Sequence, residues 1–458
     1  MHNTINHAIL VHGNNQLGQL GTGDFTKREI PTKVELAPGY SVRKVACGFA
    51  HTIVMVAEEK CCYSHRHHHQ SDLNQAIEQP CSFALMGCGT NCCSQLAQPG
   101  SAFNDTEIPH LSPIQNSKCL QEMRSIHCGC NFTMICSKDG KSLHAMGDNA
   151  NGQIGLRNWL EVSMPNSVPL KSLRNNLTNE FDTILKVFCG YDHTSVLCES
   201  GSVYSTGKNN FRELGFSNSA IQNDSQYTLT RVACLDTILQ PTERVEMIAY
   251  GENHSLLLIR NGESNTDRLL ACGDNKYGAC GLGTSVHLVP SFTQVDIGNQ
   301  QTVQQISKIA CGEFHSAVLT ERGDVWVTGR NSEGQLSFGN LDHRYRFTKI
   351  DVFGLAISDI SLGNSHSIFI SALNRQLMFG TGGGFDHPIS QKSRLQRIEF
   401  GKENNYMLVN SAACGGLHTV FYRDQDVEDG ISSQLMKRKV LSCSKGNLLV
   451  DIAIHATI

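Results

Sequence analysis

Charge is scarce in this chain of 458 residues: only 17% are Asp, Glu, Lys or Arg, and they sum to −4. A surface that grips nucleic acid by bulk electrostatics needs a clustered basic excess, so no direct nucleic-acid binding is expected. Long apolar runs are missing too. None approaches the roughly 18 to 20 residues that a membrane-crossing helix requires. The opening MHNTINHAILVHG has neither the basic head nor the apolar stretch of a secretory signal. With 40% hydrophobic residues beside so little charge, a disordered chain is excluded and a large core is available.

Against 11 prolines stand 41 glycines, 20 histidines and 19 cysteines. An odd cysteine count in a long chain without a secretory signal points to reduced thiols in the cytoplasm or nucleus rather than a disulfide framework. The glycines recur. One motif appears seven times: CGFAHT from Cys47, CGCNFT from Cys128, CGYDHT from Cys189, YGENHS from Tyr250, CGEFHS from Cys311, LGNSHS from Leu362 and CGGLHT from Cys414. A second interleaves with it, also seven times: GNNQLGQLG from Gly13, GCGTNCCSQL from Gly87, GDNANGQIGL from Gly147, GKNNFRELGF from Gly207, GDNKYGACGLG from Gly273, GRNSEGQLSFG from Gly329 and the degenerate GTGGGFDH from Gly380.

Between the motifs the pattern is that of a hairpin. HSAVLTERGDVWVTG (His315 to Gly329) is an apolar run, a glycine turn and an alternating run. About four short strands per unit of roughly 50 to 60 residues, seven times over, predict an all-β fold, a seven-bladed β-propeller. The chain enters on the second motif and leaves after the first. The strand at His7–Gly13 is therefore expected to join the CGGLHTVFY hairpin in a composite N/C-terminal closing blade. The propeller is expected over 1–425, with an insertion at about 58–80 and a tail over 426–458. Length alone predicts two or three domains, and the repeats replace that expectation with one ring.

The paired motifs G-x-N-x-x-G-Q-L-G and C-G-x-x-H-[ST] resemble the regulator of chromosome condensation repeat, most clearly in GNNQLGQLG and VACGFAHT (Val45–Thr52), over about 425 of the residues. The resemblance implies a seven-bladed propeller with a composite last blade. It also implies a protein-interaction function, as a guanine nucleotide exchange factor or exchange-factor-like regulator of a small GTPase (Ran- or Rab-like). A non-enzymatic scaffold that docks protein partners through its loop face is the alternative. No bond-making chemistry and no cofactor are expected, and a monomer is. In the family, acidic residues between the Gly and the His of the first motif face the GTPase; the matching positions are Asp192, immediately before its His, and Glu252 and Glu313, immediately after their Gly. In the second copy Phe132 replaces the His, which resembles the corresponding repeat of the secretion-regulating guanine nucleotide exchange factor branch. Three family features have no counterpart in the sequence: a basic tail before His7, the clustered tryptophans of the plant ultraviolet receptors (Trp159 and Trp326 are the two present), and a recognisable β-wedge.

The remaining candidates have structural readings. Six of seven repeats carry the His-Ser/Thr pair, whereas a catalytic dyad is needed once, so these side chains are expected to satisfy backbone groups in the blades. Cys47, Cys128, Cys189, Cys311 and Cys414 are expected as small core residues. Cys61, Cys62, His65, His67, His68 and His69 in the insertion have zinc-ligand chemistry, with Cys81, Cys88, Cys92 and Cys93 as possible additions, but no paired Cys-x-x-Cys spacing. A solvated histidine-rich loop is the expected reading, and no metal is assigned. Gly380–Gly384 lacks the Lys-Ser/Thr of a phosphate loop, and Lys437-Arg438-Lys439 is expected to be a solvated basic cluster.

Overall fold

Strands account for nearly all the regular structure in the computed structural model, which describes residues 7–58, 83–97, 107–114, 123–175, 178–216, 224–264, 266–298, 303–372, 378–383, 393–400 and 409–424. Among the described residues one short helix, Leu235–Ile238, is the exception, and it sits in the connection after blade 4. The strands form seven antiparallel sheets, each built on four strands in meander order. Blade 4 is representative, with Ile184–Cys189 innermost, followed by His193–Cys198, Val203–Lys208 and the outer Ser225–Arg231. The other inner strands are Tyr40–Cys47 in blade 2, Met123–Cys128 in blade 3, Glu243–Tyr250 in blade 5, Ile306–Cys311 in blade 6 and Ile357–Leu362 in blade 7.

Blade 1 is the composite one. Its inner strands Ser411–Cys414 and His418–Tyr422 come from the C-terminal end of the fold, and Ala8–Gly13 and Arg28–Glu35 from the start. Leu10 pairs with Phe421 and Val11 with Val420, so the ring is closed by a backbone ladder.

The burial pattern follows from this stacking. A strand second from the axis is covered on both faces by neighbouring blades, so alternation disappears. His193–Cys198, His315–Thr320 and His366–Ser371 are buried at every position. The outer strand Arg28–Glu35 faces water and buries only Pro31 and Val34. The core is correspondingly divided into seven apolar clusters between blades. At the closing seams, Ile9, Val11 and Val420 pack against Val54 and Val56, while Leu10 and Phe421 meet Ile368 and Ile370.

The second motif needs one correction. Its structurally equivalent glycines are Gly13, Gly89, Gly147, Gly207, Gly273, Gly329 and Gly382, all with φ between 101° and 111°. The register set from Gly87 and Gly380 is two residues early in those copies. The cause is steric: each true position lies against the carbonyl of the residue before the motif's His, or before Phe132 in the second copy, and a Cβ at Gly89 would sit 2.3 Å from the Ala50 oxygen. Gly87 has no such backbone approach.

Candidate docking site at the channel mouth

Each first motif turns the inner strand back on itself. Gly48 N–H donates to the His51 carbonyl at 2.9 Å, and Gly190 N–H to that of His193 at 2.8 Å. Glycine is required because a Cβ on Gly48 would lie 2.0 Å from His51 Cε1 and 2.6 Å from the Gly129 oxygen of the next blade. The missing side chain leaves space that the motif's own ring fills. In copy two the ring of Phe132 fills it against Gly129.

The histidines join neighbouring blades. Nε2 of His51, His254, His315, His366 and His418 lies 3.4, 2.8, 3.0, 3.0 and 3.1 Å from the hydroxyl of Thr133, Ser316, Ser367, Thr419 and Thr52 respectively, in each case one blade on. In four of these the hydroxyl's own proton goes to a carbonyl: Thr52 to Gln19, Thr133 to Gln95, Ser316 to Ala279 and Ser367 to Gln335. Nε2 must then be the protonated nitrogen. The structural role expected of these pairs holds, with the addition that His bonds the neighbouring repeat's hydroxyl. Burial holds His51, His193, His315, His366 and His418 down at about 3 and His254 at about 4, so all six are neutral.

The pattern breaks around blade 4. Tyr250 stands where most repeats have Cys, and its hydroxyl bonds Ser195. The His193 ring packs edge-on against it with centroids 4.4 Å apart, and neither His193 nitrogen has a hydrogen-bond partner among the described residues.

Where the first motifs reach the axis, their backbones form a continuous ring. Phe49 N–H donates to Cys130 O (3.0 Å), Cys130 to Tyr191 (2.9 Å), Glu252 to Glu313 (3.1 Å), Glu313 to Asn364 (3.3 Å), Asn364 to Gly416 (3.1 Å) and Gly416 back to Phe49 (3.0 Å). The one irregular joint is Tyr191 N–H, which reaches Gly251 O at 3.4 Å instead of Glu252. The mouth of the central channel is thus lined at one level by Phe49, Cys130, Tyr191, Glu252, Glu313, Asn364 and Gly416. Below it, Lys186 pairs with Glu246 (3.1 Å) and Lys308 with Asp359 (2.6 Å) across blade seams.

Glu252 and Glu313 are therefore neighbours on the rim, and Asp192 is close by. All three are half-buried. Burial raises the Glu313 carboxyl to about 7, helped by the charge and hydrogen bond of Glu252 and opposed by Arg330. Burial also raises Asp192 to about 6; Lys208 opposes this, and Asp148 and Glu252 add to it. Asn151 Nδ2 donates to Asp192 at 3.4 Å and Lys208 Nζ to Asn253 Oδ1 at 3.0 Å. The structure thus brings the three sequence candidates into one electrostatic cluster. Reading the first motif alone missed Asp148, Lys208 and Arg330, which follow the glycine of the second motif. The signal was the variable position in G-x-N, which reaches the same mouth.

The five first-motif cysteines line the channel wall, and burial raises every thiol, Cys414 to about 11 and Cys128 and Cys311 to about 12. None of the 14 described cysteines forms a disulfide. Cys61, Cys62, His65, His67, His68, His69 and Cys81 lie outside the described residues, as do Lys437–Lys439. Among the described residues no three His, Cys, Asp or Glu side chains are grouped to hold a metal ion, and no helix is long and apolar enough to cross a membrane.

A family profile for the RCC1-like domain matches residues 8–421, the span of the propeller strands. The chain belongs to the RCC1-like domain family. Among curated proteins it is 25% identical to the serine/threonine-protein kinase Nek9 of Mus musculus, over 96% of this chain and 41% of the kinase. It is also 25% identical to the ultraviolet-B receptor UVR8 of Arabidopsis thaliana, over 74% of this chain and 76% of the receptor. The match to the probable ubiquitin ligase HERC6 of Homo sapiens, at 27%, spans only 27% of the ligase. The chain thus spans less than half of Nek9 and HERC6. Among solved structures, Saccharomyces cerevisiae Prp20p, whose binding to Gsp1p and histones has been described, superposes with a TM-score of 0.66 at 18% identity, covering 94% of this chain and 95% of Prp20p. Human WBSCR16 superposes at 0.65 and 20%, covering 90% and 99%. These two establish the shared fold.

Proposed function

We propose that the channel mouth is a protein-docking site and that the protein is an exchange-factor-like regulator of a small GTPase. The observation that carries the reading is the cluster of Asp192, Glu252 and Glu313, half-buried on a rim whose backbone is locked by its own hydrogen-bond ring. Acids held at about 6 and about 7 are poorly solvated, and a lysine or arginine from a partner would restore to them what burial removed. A rigid rim loses little entropy on docking. Exchange needs no bond chemistry. The factor has only to bind the nucleotide-free GTPase better than the loaded one, displacing the loops that hold phosphate and magnesium. Two things support the reading: in the family that the repeats resemble, acidic residues between the Gly and the His of the first motif face the GTPase, and binding of the relative Prp20p to Gsp1p has been described.

The deciding measurement is release of fluorescent nucleotide from a panel of Ran- and Rab-like GTPases. Acceleration by the intact chain, lost in the Asp192→Ala/Glu313→Ala double variant, supports exchange. If no GTPase accelerates while the double variant still loses a captured partner, the site is a scaffold's docking surface. If neither release nor capture depends on these acids, the docking reading falls.

A further inference from the structure

Outward from the acidic rim, on blades 5 and 6, the chemistry inverts. Arg330 marks the transition: it acts on Glu313 and lies over the rings of Phe314 (5.8 Å) and Tyr277 (5.9 Å). Tyr277 packs edge-on against Phe314 and His343, with centroids 5.7 and 5.3 Å apart, and Lys276 Nζ stands 5.4 Å from the same ring. Next to His343 a cleft of about 380 Å³ opens between Gly283–Ser285 of blade 5 and the strand Arg344–Ile350 of blade 6. Beside Gly283 it is lined by Thr284, Ser285, His343, Arg344, Tyr345, Arg346 and Thr348.

The walls are held together by Gly283 N–H, which donates to Tyr345 O at 2.8 Å. A Cβ on Gly283 would sit 3.3 Å from Arg346 Nη2, so glycine here leaves room for the guanidinium. Arg344 is fixed over the Phe338 ring at 4.5 Å, and its Nη1 donates to the His343 carbonyl at 3.3 Å, which leaves its other nitrogens for a ligand. No carboxylate lines the cleft, and neither Arg344 nor Arg346 forms an ion pair among the described residues. Asp342, the nearest acid in sequence, is exposed and acts on His343.

Two guanidiniums, an imidazole and three hydroxyls around one space, with no acid, match a tetrahedral oxyanion. We propose that this cleft binds the phosphate of a phosphorylated serine or threonine in an extended segment of a protein partner. The neighbouring rim selects this source of phosphate. A polynucleotide carries charge along its whole length and would meet the Glu313 and Glu252 carboxylates just past Phe314. A peptide can place one dianion in the cleft, lay an apolar side chain on the Tyr277–Phe314 strip and point a basic residue at the rim. The cleft's occupancy does not depend on whether nucleotide exchange occurs.

The test uses the full chain and fluorescent degenerate peptides with a fixed central phosphoserine or phosphothreonine, compared with their unphosphorylated twins and a mixed-sequence DNA duplex. The phosphorylated pools should bind at least about tenfold more tightly than their twins, and phenyl phosphate should compete. Arg346→Glu, at an exposed side chain, should abolish that preference without lowering the melting temperature, and Arg344→Gln should weaken it. Absence of peptide binding, equal binding of the two pools, a preference that survives Arg346→Glu, or tighter binding of the duplex through the same arginine would each overturn the proposal.

Discussion

Thr52 accepts a hydrogen bond from His418, 366 residues away in the chain, at 3.1 Å, and donates its own proton to the Gln19 carbonyl at 2.8 Å. One hydroxyl therefore ties the last described hairpin of the chain to the first second-motif loop across the closing seam. Replacing it by Val keeps the shape but leaves a buried imidazole N–H without a partner and the Gln19 carbonyl with only the weak Cys88 thiol donor, at 3.4 Å. Thr52→Val should lower the unfolding free energy by about 2–3 kcal/mol, with Thr52→Ser recovering most of it. Urea denaturation of both variants checks this, and an equal loss in the two would show that the methyl matters and the hydroxyl does not.

Two glycines with the same sign of φ should respond very differently to alanine. Gly89 (φ 106°) would drive its new Cβ to 2.3 Å from a backbone oxygen, whereas Gly201 (φ 86°) has nothing within 4 Å. Gly201→Ala carries only conformational strain, about 1 kcal/mol. Gly89→Ala must also push the Gly89 and His51 strands of blade 2 apart, and a loss above about 4 kcal/mol or failure to fold is expected. Comparable stability of the two variants would refute the steric account of the second motif.

Glu213 is a buried carboxyl where other repeats have Gln19, Gln95, Gln153 and Gln335. Its Oε2 accepts from Phe211 N–H at 2.8 Å, the place taken by the amide oxygen of Gln19 on Leu17 and of Gln335 on Glu333. Its Oε1 has no hydrogen-bond partner among the described residues, and burial raises the group to about 7. The fold keeps this proton where the unfolded chain has lost it, so stability falls as pH climbs from about 4.5 to about 7 and stays lower above that. Glu213→Gln should therefore stabilise the protein on the order of 1–3 kcal/mol at a pH near 8, and by less near 5. Thermal melts at the two pH values read the difference.

These positions show what was legible from sequence. Repeat number, strand order and the composite blade could be read because Gly48, Gly129 and their equivalents are steric requirements of a turn that recurs every blade. The register at Gly89 and Gly382 could not, because Gly-Cys-Gly and Gly-Thr-Gly-Gly-Gly offer several glycines and only φ distinguishes them. Glu213, His193 and Tyr250 look like motif scatter until their buried surroundings are seen. The rim was half legible: Asp192, Glu252 and Glu313 sit in one motif, but the charges that act on them, Asp148, Lys208 and Arg330, sit in the other.

Six neutral buried histidines fix the sign of the acid response. Their folded values, about 3 to 4, lie below the unfolded value near 6.5, so the unfolded chain takes up more protons as pH falls. Each then removes about 1.4 kcal/mol per pH unit below about 6. Glu213 and Glu313 work the other way between about 4.5 and 7, and Asp192 between about 3.8 and 6, since acidification neutralises acids that burial disfavours. Six groups against three leave a net loss on acidification. The urea midpoint should fall between about pH 6 and pH 5, and a flat profile there would contradict neutral histidines in the seams.

The composite blade also sets a timetable for synthesis. The strand Ala8–Gly13 is among the first segments of the fold to leave the ribosome, yet the edge that pairs with His418–Tyr422 has no partner until some 400 further residues have been made. At roughly 5–20 residues per second that is an interval of about 20–80 seconds. Throughout it an apolar edge, Ile9 to Val11, stands open while the other six blades are made one after another and cannot yet close a circle.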